Sequence, residues 1–200
     1  MENKDWTGNS RSAHAILGAR NYAQNERESN DYYATEPKAA RLLMEVEKFA
    51  PMIWECACGE GHIAKEFVKA GYQVYATDLI DRGYGYQQDF LSVAAPPCKG
   101  FDIITNPPYS KAQEFVEHAL DILEDGCKVA MFLKIQFLEG KSRRELFRKY
   151  PPKTIYVSSL RLKCAMNGDF ERYAKSNAIC YAWYVWQKGY TGDTIIKWIN

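Results

Sequence analysis

The sequence predicts an α/β domain, a mostly parallel sheet with helices on both faces, and three observations carry that prediction. From residue 31 onward, short apolar runs alternate with segments whose apolar residues recur at helical spacing. The first run passes into a helix through a turn containing two glycines, Gly59 and Gly61. Acidic or amide side chains stand where the runs end: Glu55, Asp78, Asp89 and Asn106. Parallel strands need a crossover, usually a helix, so this alternation gives a parallel sheet. The carboxyl ends of such strands are where open α/β sheets take ligands.

Residues 1–30 are polar, rich in Asn and Ser and without apolar periodicity, which predicts an extended arm with Trp6 and Ala15-Ile16-Leu17-Gly18 as candidate anchors. Residues 31–200 have the length of one domain. It opens on Asp31-Tyr32-Tyr33-Ala34-Thr35-Glu36-Pro37, where Thr35 is placed to cap a helix and Glu36 and Pro37 fill its first turn. Ala39, Leu42, Leu43, Val46 and Phe49 then form the inner face.

Met52 to Cys56 is the first strand, and Glu55-Cys56-Ala57-Cys58-Gly59-Glu60-Gly61-His62 turns it into a helix from Ile63 to Ala70. Glycines let a backbone approach a ligand closely. The turn has neither the dinucleotide G-x-G-x-x-G pattern nor a P-loop lysine, and Glu55 would repel a phosphate. A cationic ligand, such as a sulfonium with a free ammonium group, suits it better. Gln73 to Thr77 is the second strand, and Asp78 at its end is placed to accept hydrogen bonds from ribose hydroxyls, with Leu79 and Ile80 flanking an adenine. After a Gly/Tyr-rich turn comes Gln87-Gln88-Asp89-Phe90. The plainer alternatives are a turn-forming Asp78 and an Asp89 that caps a helix.

Phe101 to Thr105 reads as a buried strand that must end at Asn106, because Pro107 and Pro108 lack the N–H a ladder needs. Proline also holds its predecessor extended, so an amide side chain and a free carbonyl lie side by side at the strand edge, with Tyr109 just beyond. Two neighbouring acceptors suit a planar –NH2 group, which has two hydrogens to give, and an aromatic ring can stack on its plane. A rigid turn would account for the prolines and leave Asn106 and Tyr109 unexplained.

Ala112 to Leu123 reads as a helix, Val129 to Leu133 as a strand followed by Lys134, and Lys141 to Tyr150 as a basic helix stopped by Pro151-Pro152. Thr154 to Val157 is a further strand, residues 158–177 a long loop, Ile179 to Trp186 an aromatic strand, and Thr194 to Ile199 a last one. Residues 134–175 hold eleven Lys or Arg against four Asp or Glu, although the whole chain carries only +1. Such a segment suits a polyanion, with Lys134, Lys141, Arg143, Arg144, Arg161, Lys163 and Arg172 as candidate nucleic-acid contacts; a solvated helix face is the plainer reading. No run approaches the roughly 20 apolar residues of a membrane span, and the first residues lack the apolar core of a signal peptide, so a cytoplasmic protein is expected. The six cysteines lack zinc spacing, which predicts reduced thiols and no metal site.

Asn106-Pro107-Pro108-Tyr109 after an apolar strand resembles the catalytic motif of S-adenosylmethionine-dependent amino-methyltransferases, best known in DNA adenine-N6 methyltransferases. The resemblance implies a Rossmann-like class I methyltransferase fold over residues 31–186, with a mostly parallel seven-stranded sheet and one strand reversed near its C-terminal end. It implies S-adenosyl-L-methionine as cofactor, with Tyr33 and Thr35 toward its methionine end, although Glu36 intervenes where the family more usually has Thr-Pro. Glu55, Ala57, Gly59 and Gly61 would form the cofactor turn, Asp78 and Leu79 would hold the nucleoside, Asp89 would take the adenine amino group and Phe90 would pack on the ring. Asn106, Pro107, Pro108 and Tyr109 become the catalytic set, with Asn106 also among the cofactor-binding residues. A flipped adenine would stack on Tyr109 while Asn106 and the Pro107 carbonyl accept both N6 hydrogens, and transfer would be direct and in line.

The Tyr-Tyr-Ala-Thr-Glu-Pro stretch and the Tyr-Ala-Trp-Tyr-Val-Trp strand look most like small phage or prophage DNA adenine methyltransferases, with the basic helix and the 158–177 loop in place of a separate target-recognition domain. RNA base methyltransferases and release-factor glutamine methyltransferases share the tetrapeptide, so RNA and a protein amide are alternative acceptors. A catalytically silent nucleic-acid-binding module is a third reading, against which the intact Asn106 and Tyr109 stand. The sequence sets no oligomeric state.

Overall fold

A computed structural model of the chain describes residues 32–166, 170 and 179–200; the expected arm lies outside them, as do Asn167, Gly168, Arg172 and Lys175 of the expected loop. Among the described residues the strands are β1 (Tyr33–Thr35), β2 (Met52–Glu55), β3 (Gln73–Asp78), β4 (Tyr86–Gln87), β5 (Phe101–Thr105), β6 (Lys128–Lys134), β7 (Thr154–Ser158), β8 (Cys164–Met166), β9 (Tyr181–Gln187) and β10 (Ile195–Ile199). The helices are α1 (Pro37–Val46), α2 (His62–Lys69), α3 (Ala112–Ile122) and α4 (Arg144–Lys149).

The main sheet has the order β10-β7-β9-β6-β5-β2-β3-β4. Every pair is parallel except those of β9, which runs antiparallel to both β6 and β7. The reversed strand is as expected, while the sheet has eight strands where seven were expected. The eighth strand is β10, which adds parallel to β7 at the sheet edge and lies beyond residues 31–186, to which the expectation of seven applied.

β5 is buried along its whole length between β2 and β6, which is why it reads as a continuous apolar run. Side chains alternate across it. Ile104 joins Leu43 of α1 and Phe67 of α2 on one face, and Ile103 joins Val116 of α3 and Leu146 of α4 on the other. Asp102 interrupts the run for a structural reason: its carboxylate accepts the Ala50 N–H at 2.7 Å and the Lys128 N–H at 2.6 Å, tying the entrance of β5 to the approaches of β2 and β6. Buried indoles likewise find partners, Trp54 donating to the Thr77 hydroxyl and Trp183 to the Ala39 carbonyl, each at 2.9 Å.

Three local expectations are corrected. Thr35 does not cap α1; it is the last residue of β1, which pairs antiparallel with β8, Thr35 opposite Cys164 and Tyr33 opposite Met166. Glu36 precedes the helix without a side-chain cap bond; its N–H donates to the Lys163 carbonyl at 3.0 Å and its carboxylate accepts the Lys163 N–H at 3.1 Å. A capping signal is local, and here a tertiary strand pairing outweighs it. The same ribbon means that residues 158–177 are not loop throughout. The expected basic helix is also shorter, a 3₁₀ turn over Lys141–Arg143 leading into the six residues of α4.

Candidate functional site

β2, β3, β5 and β6 run parallel and therefore end at one edge of the sheet, where a cavity of about 280 Å3 opens. The turn after β2 lends it Glu55 and Ala57, the end of β3 lends Asp78 and Leu79, and the segment after β4 lends Asp89 and Phe90. β1 closes one side with Tyr33 and Thr35. Asn106, Pro107, Pro108 and Tyr109 enter from the end of β5. Residues from five separate stretches of sequence thus meet at one place.

Gly59 and Gly61 shape the turn without lining the cavity. Gly59 has φ +54°, in the left-handed region, and a Cβ added to it would lie 2.2 Å from the Tyr32 ring. Its N–H donates to one Asp78 oxygen at 2.8 Å, and the Ile80 N–H donates to the other at 2.9 Å. Asp78 is thereby fixed in place, and each carboxylate oxygen keeps lone-pair capacity for a ligand hydroxyl. A Cβ on Gly61 would meet the Tyr84 ring at 2.4 Å.

Glu55 is buried, and its carboxylate accepts the Ala64 N–H at 2.7 Å inside the first turn of α2. Burial pushes its carboxyl well above the usual range; the Ala64 bond opposes this and the nearby Asp78 charge adds to it. Glu55 is therefore an enclosed carboxyl at the helix start, not the open anionic end that the sequence suggested. Asp89 accepts the Leu91 N–H at 3.0 Å, capping the 3₁₀ turn Phe90–Ser92. The Phe90 ring is packed among Trp54, Phe115 and His118, so it meets the cavity as part of the core.

Asn106 gives the site its polarity. Its Nδ2 donates to the Tyr33 carbonyl at 2.9 Å, and because a carbonyl can only accept, this bond fixes which end of the amide is which. Oδ1 is buried and has no partner among the described residues. The Lys111 N–H donates to the Pro108 carbonyl at 2.9 Å, so closing the turn does not use the Pro107 carbonyl.

Tyr109 differs from expectation. Its ring stacks on Tyr33 at 5.5 Å and on Tyr181 at 6.2 Å, and the Lys134 ammonium lies 4.3 Å from its centre. It is a filled aromatic ladder and not an open platform; an arriving ring has to take the place of the ammonium. Burial also raises the Tyr109 hydroxyl well above its ordinary range, with Cys164 and Tyr181 acting in the same direction.

Solved structures share this architecture. A Listeria monocytogenes protein described as a candidate class I S-adenosylmethionine-dependent methyltransferase matches with a TM-score of 0.56 at 12% identity, over 94% of this chain and 71% of that one. The chain has the class I methyltransferase fold. A Lactococcus lactis protein described as a candidate hemolysin matches with a TM-score of 0.57 at 14% identity, over 80% of this chain and 91% of that one. The type IIG restriction endonuclease BpuSI matches with a TM-score of 0.52 at 12% identity, over 78% of this chain and 24% of that one. At these identities the likeness is one of fold, and a fold hosts unlike functions. No family model and no curated protein matches the sequence.

On this methyltransferase fold the basic residues divide. Lys134, at the end of β6, lies over the Tyr109 ring. Arg161 and Lys163 follow β7, which is parallel to β6, so they leave the sheet at the same edge; Arg161 is exposed and Lys163 half-buried. Lys141 and Arg144 are exposed in the connection between those strands. The Arg143 guanidinium donates to the carbonyls of Glu139 and Gln136 and lies 5.0 Å from the Phe137 ring, so it braces its own turn. Arg172 lies outside the described residues.

Three further residues reach the site without having been singled out. The Tyr32 ring covers the glycine turn, its hydroxyl accepts the Glu60 N–H at 3.3 Å, the Arg82 guanidinium lies 4.4 Å over it, and burial pushes its hydroxyl up to about 12. Tyr32 had a signal in the Tyr-Tyr pair of the opening stretch. Arg82 and Cys164 had none, since their partners are remote in sequence.

Proposed function

We propose that this protein is an S-adenosylmethionine-dependent methyltransferase that methylates the exocyclic N6 amino group of adenine in DNA. The observation that carries the reading is the Asn106 amide, whose nitrogen is tied to Tyr33 while its oxygen is buried and unpartnered at the cavity wall. An unpaired buried acceptor costs roughly 1–3 kcal/mol, a penalty that a ligand N–H removes. The neighbouring Pro107 carbonyl makes two acceptors for one planar amino group.

The remaining walls fit the cofactor. Asp78 has lone pairs for ribose hydroxyls, the 57% exposed Leu79 beside it supplies an apolar surface for adenine, and the enclosed Glu55, whose proton burial favours, becomes a countercharge only when an arriving cation draws that proton off. When bound, the cofactor supplies an electrophilic methyl carried on sulfur. Asn106 Oδ1 and the Pro107 carbonyl hold both hydrogens of the acceptor amine and turn its lone pair toward that methyl. Electron density withdrawn from the N–H bonds sharpens the lone pair, so positioning does most of the work. The proton that the acceptor amine gives up would leave to solvent.

Nucleic acid is favoured as acceptor by Lys134 over the Tyr109 ring, by Arg161 and Lys163 at the same edge, and by the occurrence of this fold in a restriction endonuclease. Adenine inside a duplex must be flipped to reach the cavity, at a cost of a few kcal/mol. Transfer from methyl-labelled cofactor to duplex DNA, structured RNA and a release-factor protein, run in parallel, tests the proposal. Label on adenine N6 of DNA is expected. Label on RNA or protein alone moves the acceptor to another class, and cofactor binding without any transfer would leave a silent module.

A further inference from the structure

Cys164 reaches the site from β8, which touches the rest of the fold through its pairing with β1. The register that sets Thr35 opposite Cys164 also sets Tyr33 two residues away on the same ribbon. The buried thiol thus arrives behind two members of the Asn-Pro-Pro-Tyr stretch at once. Its sulfur lies 3.8 Å from Asn106 Nδ2, and the side chains of Tyr109, Tyr181 and Thr35 approach the same sulfur. Burial lifts the thiol to about 11, so it is a neutral S–H at physiological pH, able to accept weakly and to donate weakly.

An asparagine amide can rotate by half a turn and present its NH2 where its oxygen is needed. Toward an amino group this places donor against donor and cancels the site's chemistry. Here Nδ2 has the Tyr33 carbonyl on one side and the Cys164 sulfur on the other. Turning the amide over loses the Tyr33 bond and sets Oδ1 against a carbonyl oxygen, while the S–H can face either end of the amide.

We propose that Cys164 is a positioning residue: its sulfur backs the Asn106 amide and holds it in place, while the Tyr33 carbonyl sets its orientation, so that Oδ1 meets the incoming amino group. The kinetic consequence rests on the methyl-transfer reading; the contact itself does not. Cys164 has no contact with the acceptor or the cofactor in this role and acts through Asn106.

Cys164→Ala and Cys164→Ser test the inference with two readouts. In methyl transfer to duplex DNA, Cys164→Ala is expected to lower kcat by roughly 10- to 100-fold, the scale of small misplacements at a reacting centre. Cofactor Kd, measured by calorimetry, is expected to stay unchanged, and Cys164→Ser, whose hydroxyl also accepts and donates, is expected to recover most of kcat. In 15N-labelled protein the Asn106 side-chain amide, identified by its loss in Asn106→Asp, is expected to exchange faster in Cys164→Ala than in wild type or Cys164→Ser. Wild-type kcat in Cys164→Ala, or equal amide exchange in all three proteins, would overturn the assignment. If the wild-type protein methylates no nucleic acid, the methyl-transfer reading fails while the amide-exchange comparison still decides the role of the sulfur.

Discussion

Gly59→Ala probes the glycine turn through two separable costs. At φ +54°, any side chain adds left-handed strain of roughly 1–2 kcal/mol. The new Cβ would also lie 2.2 Å from Tyr32 Cε2, whereas carbon contacts settle at about 3.5–4.0 Å, so the ring must retreat by more than an ångström. That retreat breaks the Glu60 N–H bond to the Tyr32 hydroxyl, worth about 0.5–1.5 kcal/mol, and the Arg82 stacking, worth about 0.5–1 kcal/mol. The total is roughly 2–4.5 kcal/mol, or about 4–18 °C in Tm for a domain of this size.

Gly71→Ala supplies the control. Gly71 has φ +91° with nothing within 4 Å of an added Cβ, so only the backbone cost applies there. Thermal unfolding of both variants, with and without cofactor, is the assay. Gly59→Ala is expected to lose the larger Tm and also cofactor affinity, and removal of the Tyr32 ring in a Gly59→Ala/Tyr32→Ala double variant is expected to make the two losses sub-additive. Equal Tm losses at Gly59 and Gly71, with cofactor affinity unchanged, would refute the packing of Tyr32 on the turn.

Two other perturbations follow from buried carboxyls. Glu55 has a folded-state value above its ordinary 4.5, so the native state holds its proton longer than the unfolded chain, and stability falls as pH rises from that value toward the folded one. Glu55→Gln is expected to flatten this part of the stability curve and to remove the accompanying gain in cofactor affinity with pH; parallel curves for the two proteins would contradict the assignment. Asp102→Ala leaves the Ala50 and Lys128 N–H groups without their acceptor and is expected to cost roughly 2–4 kcal/mol in urea unfolding, with Asp102→Asn milder. A loss below about 0.5 kcal/mol, the size of an ordinary surface substitution, would show that Asp102 is not the tie described.

What the sequence disclosed depended on how local each signal was. Asn106-Pro107-Pro108-Tyr109 was legible because proline ends a strand wherever it stands, and the placement of Asp78 followed from the strand before it. Thr35 was misread because its cap signal lies within four residues, while its actual partner, Cys164, belongs to a segment that read as loop. The surroundings of Tyr109 were not legible, since the aromatic ladder of Tyr33 and Tyr181 and the ammonium of Lys134 come from three other strands. Arg143 shows the limit of charge counting: a basic residue in a basic stretch is occupied by carbonyls of its own turn. Glu55 shows the limit of placing an acid at a strand end without knowing what folds over it.

Asn106→Ala tests the central claim most directly, with methyl transfer to duplex DNA and cofactor Kd measured on the same preparation. Loss of one preorganised hydrogen-bonding partner costs on the order of 10²- to 10³-fold in kcat, and the Asn106 nitrogen is held by the Tyr33 carbonyl. The account therefore predicts that transfer falls by at least that factor while Kd for the cofactor stays close to wild type. Retained transfer, or a fall in cofactor binding that matches the fall in transfer, would contradict it.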